Sequence, residues 1–74
     1  MNPETINKLL TDAFPDSEIS VQGDDGHHFE AKIISKLFAG KSRVEQQRLV
    51  YAVLEPYIAS GELHAISLKT QIKD

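Results

Sequence analysis

The chain contains no cysteine. That removes disulfides, thiolate zinc sites, cysteine nucleophiles and any iron–sulfur site built from the chain's own thiolates. Long apolar runs are missing too. None approaches the roughly 20 residues a membrane-spanning helix needs, and no signal-peptide pattern opens the sequence, so the expected compartment is the cytoplasm. Positive charge is scarce: 8 Lys and Arg stand against 11 Asp and Glu, a formal charge of −3, which argues against coating nucleic acid by bulk charge. The chain is also short, and its 74 residues are expected to form one domain spanning 1–74. A domain of this size buries only about 60–65% of the surface its unfolded chain exposes. What is present is an ordinary globular mix, 41% hydrophobic and 26% charged. With a thin core and no covalent staple, a deep catalytic cleft is hard to house, and a binding or carrier module is the expected class.

The charges are unevenly spread. Residues 1–31 hold seven carboxylates against Lys8 alone, whereas residues 32–48 hold Lys32, Lys36, Lys41, Arg43 and Arg48 against Glu45. A basic middle after an acidic start can present a local positive patch despite the net sign; the plainer reading is a solvated helix entry.

Asn2 before Pro3 reads as an N-cap with proline at the first helical position. Ile6, Leu9, Leu10, Ala13 and Phe14 then form one helical stripe, which Pro15-Asp16-Ser17 stops. Glu18 to Gln22 alternates as a short strand. The Gly23-Asp24-Asp25-Gly26 segment turns the chain into a second strand from His27 to Ile34, with Phe29, Ala31 and Ile33 on one face and His28, Glu30 and Lys32 on the other. In the connector Ser35 to Lys41, Leu37 and Phe38 are expected to enter the core. Ser42 and Glu45 fit a capping box. Leu49, Val50, Val53, Leu54 and Tyr57 mark the helix that follows, and Pro56 predicts two helices, or one sharply bent one, ending at Ser60-Gly61. Leu63 to Thr70 reads as the third strand, followed by frayed residues. The order is α-β-β-α-α-β, and the economical packing is an α+β fold with a three-stranded mixed sheet and helices on one face.

Three histidines are the side chains suited to metal or near-neutral proton chemistry. His27 and His28 open the second strand and His64 opens the third, so parallel pairing of those strands would gather them at one rim. Strand parity favours His27 as the closer companion of His64. Two imidazoles fall short of the four ligands that zinc or a [2Fe–2S] cluster takes, so a cluster could be held only jointly with a partner that brings thiolates. The competing reading is a backbone-capping or solvated role. Nothing favours an enzyme. Ser35, Ser42 and Ser60 lie at caps and connectors without a nucleophile elbow, Asp24-Asp25 read as solvated turn formers, and Gly40-Lys41-Ser42 lacks the upstream glycine of a phosphate loop.

His28-Phe29, Phe38-Ala39-Gly40, Arg48-Leu49-Val50-Tyr51 and the closing Leu63-His64-Ala65-Ile66-Ser67-Leu68 together resemble the BolA family over about residues 4–70, most closely its short acidic bacterial branch. Gln46-Gln47 stands where an Arg-His pair is common in the better-known members, and their long turn between the first strands and their Pro/Trp tail are missing. The resemblance implies a fold similar to class II KH domains; the free domain is expected to be a monomer. It also implies partnership with a monothiol glutaredoxin of the CGFS type and a shared [2Fe–2S] cluster. By the same resemblance His64 is a cluster ligand, and the second ligand falls to His27 or His28. The leading expectation is therefore a non-enzymatic adaptor in iron–sulfur trafficking. The alternative is a DNA-binding transcriptional regulator using Lys36, Lys41, Arg43 and Arg48, residues that would equally dock an acidic face of a glutaredoxin. The region from Ser42 to Ser60 lacks the GXXG loop with which KH domains clamp phosphates.

Overall fold

The computed structural model describes residues 1–23 and 28–74. The expected turn at Asp24-Asp25-Gly26 and the placement of His27 lie outside the described residues. The element order is α1 (Pro3–Ala13), β1 (Glu18–Gln22), β2 (His28–Ser35), a 3-10 turn η1 (Lys36–Phe38), α2 (Arg43–Ala59) and β3 (Ala65–Ile72). The sheet runs β1-β2-β3, with β1 antiparallel and β3 parallel to β2. The α+β architecture and mixed sheet are those expected.

Local chemistry fixes each end. Asn2 Oδ1 accepts the Thr5 amide at 2.8 Å with Pro3 in the first turn of α1. The capping box of α2 is complete: the Glu45 amide donates to Ser42 Oγ, and the Ser42 amide donates to Glu45 Oε1 at 2.9 Å. Ile6 and Leu10 from α1, Phe14 at its C-terminal cap, and Val50 and Leu54 from α2 close over Phe29, Ala31 and Ile33 of β2, with Phe38 and Leu63 completing the core. The Phe14 and Phe38 rings pack at 5.6 Å, tilted by 59°. The alternate residues of β2 are exposed or half-buried, so both helices lie on one face of the sheet and the other face is open.

Four expectations are corrected. Pro56 does not divide the second helical region; one helix runs from Arg43 to Ala59 through it. Pro56 sits in the last turn on an exposed face, so the single helical bond it removes is lost where water can replace it. Leu37 stays 51% exposed while its neighbour Phe38 is fully buried, because the 3-10 turn points only one of the two inward. β2 runs from His28 to Ser35, and Ser35 is buried with its Oγ accepting the Leu37 amide. β3 begins two residues later than alternation indicates and continues to Ile72. The Leu63 amide donates to the Tyr57 carbonyl at 3.0 Å, closing the end of α2 rather than joining the ladder. Among the described residues no helix is long and apolar enough to cross a membrane.

Candidate functional site

The parallel β2–β3 register sets His28 opposite Ala65. His28 is the first residue of β2, and His64 immediately precedes β3. Two imidazoles separated by 36 positions in sequence therefore come to the same end of the sheet, and both are exposed. His28 lies on the open face with Glu30. His64 has the parity of Ile66 on the covered side but stands beyond the ladder, where alternation no longer binds it. The third candidate, His27, lies outside the described residues.

Two features hold this rim. Gly23 ends β1 beside it, and a Cβ there would come within 2.5 Å of Phe29 Cδ1 and 3.1 Å of the His28 carbonyl. Only glycine lets the chain pass this close to the ring next to His28. A shallow depression of about 200 Å³ lies alongside, lined by Gln22, Gly23, His28, Glu30 and Ser67. On the other side, the Tyr51 hydroxyl of α2 donates to the Ile66 carbonyl at 3.4 Å, tying the helix to the start of β3.

The donor set decides what such a rim can hold. Among the described residues no three of His, Cys, Asp and Glu gather closely enough for a metal ion, and the chain has no thiol. The two described imidazoles are too few for a complete site, since zinc and [2Fe–2S] centres take four ligands.

The basic candidates lie elsewhere. Lys36 is in η1, Lys41 follows it, and Arg43 and Arg48 are on α2; all four are exposed. Glu45 sits among them. Its carboxyl is held below the usual carboxylate range by the Ser42 amide and hydroxyl, with Lys41 and Arg48 adding attraction. The segment is thus partly self-compensated. Lys32 and Lys69, which no sequence motif marks, face each other across β2 and β3 on the open face. With Ser20, Gln22, Glu30 and Ser67 they line a second depression of about 190 Å³. Period-two alternation places each lysine on a face; pairing them needs the register, which no local pattern states.

Known proteins match this chain over most of its length. A family description, BolA-like protein, matches residues 11–74. The acid stress protein IbaG of Escherichia coli is 41% identical over 69 residues, covering 93% of this chain and 81% of its own. Among solved structures, a bolA homologue from Coxiella burnetii superposes with a TM-score of 0.85 at 35% identity, covering 100% of this chain and 94% of that one. The BolA domain of SufE1 from Arabidopsis thaliana does so with a TM-score of 0.82 at 32% identity, covering 95% and 90%. In sequence along nearly the whole chain, and in the arrangement of two helices over one face of a mixed sheet, this protein belongs to the BolA family.

Proposed function

We propose that the protein is a non-enzymatic adaptor that pairs with a monothiol CGFS glutaredoxin and lends histidine ligands to a [2Fe–2S] cluster whose thiolates the partner brings, in the service of iron–sulfur trafficking. The observation that carries this reading is the shared rim: parallel pairing of β2 and β3 puts His28 and His64 at one exposed end of the sheet. A sphere that is short of ligands, and has no sulfur of its own, calls for a partner. The likeness of this chain to the BolA domain of SufE1 supports the reading. His64 is assigned as one ligand, and His28 or His27 as the second.

When bound, a cluster with imidazole in place of thiolate is less negative and has a raised potential. The chain's own part is to hold neutral imidazoles at an open edge. Protonation removes the lone pair that binds metal, so such a bridge is labile to acid, in keeping with the acid-stress name of the Escherichia coli relative.

The test is to mix the protein with a CGFS glutaredoxin, reconstitute with iron, sulfide and glutathione, and record visible circular dichroism. The mixture is expected to give a spectrum distinct from that of the glutaredoxin alone, and His64→Ala to abolish the difference. Separate His27→Ala and His28→Ala variants assign the second ligand. A spectrum that His64→Ala leaves unchanged rejects the ligand role.

A DNA-binding regulator is the second reading, favoured by the four exposed cations that follow one another along η1 and α2. It requires binding that weakens with salt at a slope of about −0.9 per phosphate contact. No salt-sensitive binding at low ionic strength removes it.

A further inference from the structure

The two edges of the sheet differ. β1 is five residues long, whereas β3 is an eight-residue edge strand without proline. A long regular edge presents unpaired amides and carbonyls to any extended chain that meets it. The direction of these groups can be read from one bond. The Lys73 amide donates to the Ser35 carbonyl at 3.1 Å, so it points towards β2. Alternate residues of a strand direct their main-chain groups to opposite sides. Stepping back by two, Gln71, Lys69 and Ser67 also point inward, and Ile72, Thr70, Leu68 and Ile66 point outward. The Tyr51 hydroxyl reaches the Ile66 carbonyl from α2, as that direction requires, and it closes the first outward carbonyl. The stretch from Leu68 to Ile72 stays open.

A cleft of about 390 Å³ lies along that open stretch. It is lined by Leu68, Lys69, Thr70 and Gln71 of β3 and by Arg43 and Gln47 of α2. Residues from both faces of β3 line it, which is the shape of a groove that follows a strand edge. The charge beside it is one-sided: Arg43 and Lys69 are in the lining, and Lys32 stands opposite Lys69 in the ladder and also borders the cleft. Among the described residues no side-chain hydrogen bond or ion pair engages any of these three cations, and Arg43 is exposed at the helix start.

We propose that the open edge of β3 is a docking site for an extended, acidic segment of a partner protein, which adds to the sheet as a fourth strand. Main-chain bonds to Leu68, Thr70 and Ile72 would supply the pairing, and carboxylates on the added strand would meet Arg43 and Lys69. A second copy of this chain is the poorer occupant. Two-fold pairing of β3 with itself would bring Lys69 and Arg43 of both copies together, and like charges across paired strands repel. Nucleic acid fits less well too, because among the described residues no aromatic side chain lines the cleft to stack a base. The surface lies towards the end of β3 away from His64, so the site stands apart from the histidine rim and does not depend on metal.

The test titrates isotope-labelled protein with an N-acetylated, C-amidated octapeptide alternating glutamate and valine. The amide signals of Leu68, Thr70 and Ile72 are expected to shift and their hydrogen exchange to slow. The Arg43→Glu/Lys69→Glu double variant is expected to bind about tenfold more weakly while keeping the wild-type circular dichroism and a thermal midpoint no lower than that of the wild type. An alternating lysine–valine peptide is expected to bind at least about tenfold more weakly. A glutamate–valine peptide N-methylated at alternate residues is expected not to bind. Shifts confined to the histidine rim or to the outer face of α2 would overturn the proposal, as would equal binding of the N-methylated peptide or no binding up to millimolar peptide. A free protein that sediments as a dimer with the β3 amides already protected would give the edge to a second copy instead and overturn it too.

Discussion

Along β2, Phe29, Ala31 and Ile33 lie beneath the helices while His28, Glu30 and Lys32 stand on the uncovered side. One strand thus writes two surfaces with different duties. The covered residues are closely packed against α1, α2 and η1, and each carries a share of a core that is small for the whole chain. The uncovered residues are exposed, so their identities are free to serve recognition. In a domain of this size, stability and binding chemistry are separated by a single step along the backbone.

The largest test of that division is Ile33→Ala against Lys32→Ala. Ile33 is fully buried, and its truncation is expected to cost about 2–5 kcal/mol, a large part of the roughly 4–11 kcal/mol that a domain of this length commands. Its neighbour on the open face is expected to change stability by less than about 0.5 kcal/mol. Urea unfolding followed by far-ultraviolet circular dichroism measures both, and equal losses would erase the distinction between the faces.

A smaller effect is expected at a place belonging to neither face. Ser42→Ala removes the cap of α2 and is expected to cost about 1 kcal/mol. Its pH dependence sharpens the result. The Glu45 carboxyl has its pKa lowered in the folded protein. Its contribution is therefore present above the ordinary carboxylate pKa and is lost as pH falls through the lower folded value. Glu45→Gln is expected to flatten that part of the stability-against-pH curve, and an unaltered acid limb would refute the assignment. The smallest change expected is Lys69→Gln. Relief of the Lys32–Lys69 opposition should raise stability by a few tenths of a kcal/mol, about the size of one cross-strand like-charge penalty. The gain should shrink in high salt, and a salt-independent loss would show that the lysines do not repel.

Much of this architecture is legible in the residues themselves. The Asn2 and Ser42 caps and the alternation of β2 are local signals that the structure repeats, and of the α1 stripe Ile6, Leu10 and Phe14 are buried while Leu9 is half-buried and Ala13 exposed. The departures occur where a distant partner decides. Leu63 and His64 continue the alternation of β3, yet the Leu63 amide is taken by Tyr57, so the strand starts later. Leu37 and Phe38 are equally apolar, and only the 3-10 turn selects which is buried. Gln46 is polar yet buried, because its side-chain amide donates to the Lys41 carbonyl at 2.8 Å across the entry to α2. For the site, residue type marked the histidines and the expected parallel return of the last strand gave them a common end of the sheet; only the register that sets His28 opposite Ala65 comes from the folded chain alone.

The parallel pairing of β2 with β3 also has a bearing on assembly. His28 and His64 become neighbours in space only after seventeen residues of α2 have formed and the last strand has been laid beside the second. Such non-local pairing is late and slow compared with helix formation. Any ligand that requires both rings therefore recognises the finished domain alone, and its binding draws the folding equilibrium towards completion.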